Sequence, residues 1–225
     1  MEVAELLERA RPLAPAGSRA LPVVPALAPL LPGGVRRGST LALPGGPGHT
    51  SLLLALLAGV SASGAWCAVV GMPALGAEAA AAAGVDLGRL ALVPAPGERW
   101  PTVVSALLDG IDVVAVDHRR PRPADARRLS VRARHHGAVL LGVGSAWPEA
   151  DLVLRVAGAE WDGLGRGHGH LRQRRIEVEV TGRRAADRPR RTSLWLPSDS
   201  GAAEGCTDAV STGAGKGTTD GVLRA

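Results

Sequence analysis

Phenylalanine and tyrosine are absent from this chain of 225 residues, and Lys216 is its only lysine. Five tryptophans are therefore the whole aromatic inventory, too few for a groove that stacks successive bases of a single strand on aromatic platforms. The single lysine leaves 25 of the 26 basic residues as arginine. Arginine, alanine, glycine and proline richness of this kind is the signature of a GC-rich coding genome, and it needs no functional explanation. The formal net charge of +5 favours acidic partners, nucleic acid or acidic protein, without choosing between them. Cys67 and Cys206 are the only cysteines, which excludes a disulfide framework and a Cys-x-x-Cys zinc site. Long hydrophobic runs are lacking too: Ser51 to Val60 and Ala74 to Val85 are too short or too rich in Ala and Gly to span a bilayer. Met1 to Arg11 carries three glutamates and does not read as a signal peptide, so the expected location is the cytoplasm.

What is present is a 46% hydrophobic chain, enough for one substantial core. Residues 2–11 read as a short amphipathic helix. Residues 12–32 hold Pro12, Pro15, Pro22, Pro25, Pro29 and Pro32 among leucines and valines, the composition of an extended strap rather than a helix. From Gly33 apolar strands and helices alternate: strands at 39–43, 66–71, 90–93, 112–117 and 138–143, helices at 50–60, 75–84, 100–109 and 123–136. Such alternation specifies a mostly parallel sheet with helices on both faces. From about residue 151 the pattern is β only, through DLVLRVAGAEW, QRRIEVEVTG and RTSLWLP, which predicts antiparallel strands added to the sheet edge. After Pro197 the composition turns to Gly, Ser, Thr, Ala and Asp, and 198–225 is expected to be a disordered tail. The expected units are thus 1–32, 33–197 and 198–225.

The most informative segment is GGVRRGSTLALPGGPGHTSLLLALLAG, from Gly33. A short apolar strand runs into the glycine-rich loop Pro44 to Gly48 and then into an apolar helix. In a working phosphate loop, G-x-x-x-x-G-K-[ST], glycine amides wrap the phosphates, lysine reaches the β and γ oxygens, and a hydroxyl holds Mg²⁺. Here Gly48-His49-Thr50 stands where G-K-T belongs, and five residues before Gly48 stands Leu43 instead of glycine. Histidine is a poor stand-in, because its ordinary pKa near 6.5 leaves it largely neutral and its reach is shorter. The amides of Gly45, Gly46 and Gly48 at a helix start still suit an anion, which leaves weak phosphate or ATP binding open.

This order of elements resembles the RecA core, through Gly33-Gly34, Arg36-Arg37-Gly38, AVVGMPALG (68–76), AAGVDLGRLALVPAP (82–96) and DVVAVD (112–117). More specifically the chain resembles the ImuA-type RecA-like proteins in their actinobacterial form, through LPVVPALAPLLPGG (21–34), EWDGLGRGHGHLR (160–172) and RTSLWLP (191–197). The resemblance covers about residues 30–197 and implies an α/β RecA-like P-loop core with a mostly parallel sheet and antiparallel C-terminal strands. It also implies a place in SOS-type damage-induced translesion synthesis, beside an ImuB-like inactive Y-family polymerase homologue and an error-prone C-family polymerase. Asp117 matches the Walker B aspartate of that family. The family's catalytic glutamate lies just after the second core strand, where this chain has Gly71-Met72-Pro73 and no carboxylate.

Gly45, Gly46, Gly48, His49, Thr50 and Asp117 therefore read as a vestigial nucleotide site with no catalytic residue and no required cofactor. The expected activity is a non-catalytic adaptor; the alternative is an active RecA-like ATPase or a DNA-binding recombinase paralogue. Partner binding is expected on 151–197, with Trp161 and Trp195 as anchors and a basic rim including Arg190 and Arg191, the proline strap being the second choice. Seven arginines lie between Arg119 and Arg134 and eight between Arg172 and Arg191. The connection GSAWPEA (144–150) leaves no room for a long second DNA loop, so at most a weak single-stranded DNA contact is expected. His168 and His170 in a glycine turn lack further ligands and predict no metal site.

Overall fold

Leu52 to Leu57 is apolar at every position, and a helix apolar all round must be covered on all sides. The structure, a computed structural model, covers it from both. It describes residues 19–118, 121–148, 150–164, 169–182 and 189–206; the expected helix at 2–11, His168, and Lys216 with the rest of 207–225 lie outside them. Helix α1 (His49–Ala62) packs one side on the sheet. Its other side is crossed by the proline-rich segment, so closely that a Cβ on Gly59 would lie 2.5 Å from the Val24 nitrogen and 2.6 Å from the Val23 carbonyl carbon. Leu21, Leu27, Leu30, Leu31 and Val35 of this segment are buried in the same core. The strap is therefore no separate unit ending at residue 32, and its apolar side chains are spent on the chain's own core. It is shaped by a two-residue ladder between β1 (Ala20–Leu21) and β2 (Val35–Arg36) and a 3-10 turn at Pro25–Leu27.

The remaining elements follow in chain order: β3 (Thr40–Pro44), β4 (Cys67–Val70), α2 (Ala77–Ala82), β5 (Leu90–Val93), α3 (Trp100–Leu107), β6 (Val113–Asp117), α4 (Pro123–His136) and β7 (Val139–Gly144). Then come β8 (Leu152–Leu164), β9 (Gly169–Thr181), β10 (Arg190–Trp195) and β11 (Glu204–Gly205). Nine strands form one mixed, mostly parallel sheet in the order β11-β10-β9-β8-β3-β7-β6-β4-β5. Strands β4 and β7 are buried almost throughout, as parallel strands covered on both faces must be. Helices α1 and α2 join the strap core on one face; α3 and α4 cover the other with Val104, Leu107, Leu129 and Ala133.

Two sequence expectations change. Strand β8 is not antiparallel to the sheet it joins: it pairs in parallel with β3, and the antiparallel ladder begins only between β8 and β9. The C-terminal segment is not all tail. Ser198 is buried, β11 pairs with β10, and Glu204 accepts bonds from the Ser198 and Ser200 hydroxyls at 2.8 Å, so residues 198–206 close the sheet edge. Small polar residues do this with hydrogen bonds, which hydropathy does not register.

At the amino ends of the strands, buried carboxylates serve as ties. Asp112 takes the Arg37 guanidinium at 2.7 Å and the Trp66 amide at 2.8 Å, and Asp151 accepts the Thr40 amide at 2.9 Å. Cys67 lies in the core, and burial, with the Asp112 charge second, pushes its thiol far up and leaves it inert.

Candidate functional site: the glycine loop and the strand that covers it

The carboxyl ends of parallel strands are where open α/β sheets hold ligands, and the predicted vestigial residues gather there. Strand β3 ends in Pro44, the chain turns through Gly45 and Gly46, and Gly48 begins α1 in a left-handed conformation (φ 90°) that favours glycine. A Cβ on Gly45 would lie 2.8 Å from the Gly144 carbonyl oxygen at the end of β7. A Cβ on Gly144 would in turn lie 2.8 Å from Asp117 Oδ1 at the end of β6. Loop, β7 end and carboxylate are thus stacked in contact, with glycine required at both seams. Gly71, following β4, presses on the Asp117 carbonyl and brings no carboxylate. Beyond Asp117, His118 stacks on Trp100 at 4.4 Å, and Trp147 meets Trp100 edge-on.

His49 does not reach outward as a phosphate-binding lysine would. Its Nδ1 lies 2.6 Å from the Gly46 carbonyl oxygen. A carbonyl can only accept, so the proton sits on Nδ1, and the ring is folded back onto its own loop. Thr50 is half-buried at the next position of the helix.

One residue beside the loop was missed by sequence reasoning. Arg174, on β9, extends over the start of α1: a Cβ on Gly48 would lie 3.4 Å from its Cζ and Nη2. Its Nη2 donates to Ser51 Oγ at 2.6 Å and its Nε to the Leu196 carbonyl at 3.0 Å. The guanidinium also lies 4.9 Å from the Trp161 ring centroid, a cation–π contact. Burial lowers its pKa, yet arginine remains charged. The signal was in the sequence: in QRRIEVEV, Arg174 has the parity of Ile176 and Val178, the buried positions, so an arginine was written onto the core side of a strand.

The predicted partner surface divides. Trp161 pairs across the ladder with Arg174, on the face that carries the strap and α1; Trp195 pairs with Arg175, on the opposite face. Arg190 lies on the strap side and donates to the Leu30 carbonyl at 3.1 Å, whereas Arg191, on the open side, meets Glu179 at 3.2 Å. The four residues are not brought together, because neighbours on a strand point to opposite faces. The basic rim is also interleaved with acid: Arg155, Glu179 and Arg191 lie side by side across three strands, as do Glu160, Arg175, Trp195 and Glu204 across four. Among the described residues no group of three His, Cys, Asp or Glu side chains is arranged to hold a metal. No described helix is long and apolar enough to cross a membrane.

Comparison with known proteins matches the parallel part of this architecture. The uncharacterized protein Rv3395c of Mycobacterium tuberculosis strain H37Rv is 41% identical over 117 residues, which cover 50% of this chain and 57% of that protein. The chain thus aligns with little more than half the length of this relative. Residues 29–149, from the end of the strap through α4 and β7 and short of the antiparallel strands, match the model of the MT3502 N-terminal domain, and the chain belongs to that family.

Proposed function

We propose that this chain is a non-catalytic RecA-like adaptor in DNA damage tolerance. It would serve induced mutagenesis through translesion synthesis by holding an ImuB-like inactive Y-family polymerase homologue and, with it, an error-prone C-family polymerase. The likeness to a RecA-type core is supported by a central strand that runs through a glycine-rich loop into an apolar helix, with Asp117 closing a strand beyond β7. The carrying observation is that the two cationic or ionisable side chains nearest the start of the helix are tied to the protein itself. His49 is tied to Gly46, and Arg174 is held over Gly48 by Ser51, Leu196 and Trp161. Neither is free to follow charge onto a γ-phosphate, and Gly71-Met72-Pro73 after β4 brings no carboxylate to orient water. Binding then falls to the open face of β9 and β10, where half-buried Trp195 stands among Arg175, Glu177 and Arg191. Tryptophan and arginine are the residues in which interface energy concentrates.

Purified protein is expected to hydrolyse ATP at background rate with or without single-stranded DNA, and Trp195→Ala is expected to lose the copurifying polymerase homologue from DNA-damaged cells while melting normally. ATP turnover abolished by His49→Ala or Asp117→Asn would refute the non-catalytic reading. Undiminished copurification by Trp195→Ala would refute the surface.

A further inference from the structure

The two arginine clusters of the sequence have different surroundings. Those of β8 to β10 alternate with glutamates, as described above. Those of α4 do not. Asp125 stands 3.9 Å from Arg128, and Asp109 is occupied by Arg132 at 2.5 Å and His136 at 3.4 Å. Arg122, Arg127 and Arg134 meet no carboxylate among the described residues, and all are exposed, as is His135. The helix presents them on one side because the other is used: Ala126, Leu129 and Ala133 are buried against the sheet. Val131, 55% exposed, is the one large hydrophobic residue among the arginines. Beside the start of α4 is an open depression of about 480 Å³ lined by Pro123, Ala124, Arg127, Arg128 and Pro148.

The chemistry of the face narrows its partner. A protein interface needs aromatic or aliphatic anchors, and the nearby Trp100 and Trp147 are buried at 6% and 4% exposure. A membrane-surface helix needs a free apolar side, which α4 has already spent on the core. Repeated guanidinia, most of them without a carboxylate, and almost no apolar surface suit an anion that repeats: arginine forks match phosphate oxygens, two at a time. Arg127 and Arg134 are two helical turns apart, about 10 Å along the axis, against roughly one charge per 3.4 Å of a nucleic-acid strand.

We propose that the outer face of α4, carrying Arg122, Arg127, Arg128 and Arg134, binds the phosphate backbone of a nucleic acid without reading bases. It rests on the charge layout and is independent of the adaptor reading, whose surface is on the sheet extension. The test is fluorescence anisotropy of the full chain with a labelled oligonucleotide, single-stranded and duplex in separate arms, over roughly 50 to 200 mM salt. Two charge-matched variants are compared, Arg127→Gln with Arg134→Gln and Arg155→Gln with Arg172→Gln. The α4 pair is expected to bind at least about tenfold more weakly at low salt, with the slope of log K against log salt reduced by roughly 1.4 for single strands or 1.8 for duplex. The sheet pair is expected to stay within about twofold of the unaltered chain, as sites without phosphate contact leave the slope unchanged. Val131→Glu, which removes no arginine but sets a carboxylate three or four residues from Arg127, Arg128 and Arg134, is expected to weaken binding as well. Equal losses in the two pairs would reduce the effect to net charge and overturn the assignment. So would an unaltered chain that binds neither oligonucleotide, or one that prefers polyglutamate of equal charge.

Discussion

Replacing Arg174 by methionine removes the charged fork from above the glycine loop while keeping most of its length. The change deletes the 2.6 Å bond to Ser51 Oγ, the 3.0 Å bond to the Leu196 carbonyl and the cation–π contact with Trp161. Hydrogen bonds from a charged donor contribute about 1.5–3 kcal/mol each, and the ring contact about 0.5–1. Arg174 is only half-buried, so water replaces part of what is lost, and removing the guanidinium also relieves the desolvation that lowers its pKa. The net expectation is a loss of about 2–3 kcal/mol, from the lower end of those ranges. For a chain of this size that is a fall in Tm of roughly 4–12 °C. Arg174→Lys, with a point charge instead of a fork, should recover about half. Urea unfolding followed by tryptophan fluorescence measures the loss, and Trp161→Leu in a double-mutant cycle should return a coupling of about 0.5–1 kcal/mol. A loss under about 0.5 kcal/mol, the scatter of ordinary surface changes, would mean that Arg174 is not held there. Arg174 would then be free to move over the start of α1, and the non-catalytic reading would lose one of its two ties.

Leu30→Ala should cost about 2–5 kcal/mol, as for other fully buried leucines, whereas Leu92→Ala, at 40% exposure on β5, should cost little; similar values would mean that the strap is not part of this core. Ending the chain after Pro197 should lower Tm relative to ending it after Cys206, because the first cut removes β11 and the Ser198–Glu204 bond. The same closure should loosen in acid. Bonds from Ser198, then Ser200, hold Glu204 below its ordinary pKa of 4.5, so its contribution is complete above that value and disappears as pH falls through the lowered one. An identical acid limb in Glu204→Gln would refute the assignment.

Most of the parallel sheet was legible in the sequence, since strand and helix periods depend on residues two to four apart. The runs at 90–93 and 123–136 coincide with β5 and α4, and the others fall within a few residues of the observed elements. The chemical deficit of the loop was legible as well: histidine stands where lysine belongs, and no carboxylate follows β4. What only the tertiary structure decided depends on partners far apart in the chain. Arg174 and Ser51 are separated by 123 residues, and Arg190 and the Leu30 carbonyl by 160. Composition made the arginines of β8 to β10 look like those of α4. Cross-strand register set the first among glutamates, and helix packing turned the second toward water with too few carboxylates to match. Charge is counted along the chain, but its neutralisation is decided by which strands lie side by side.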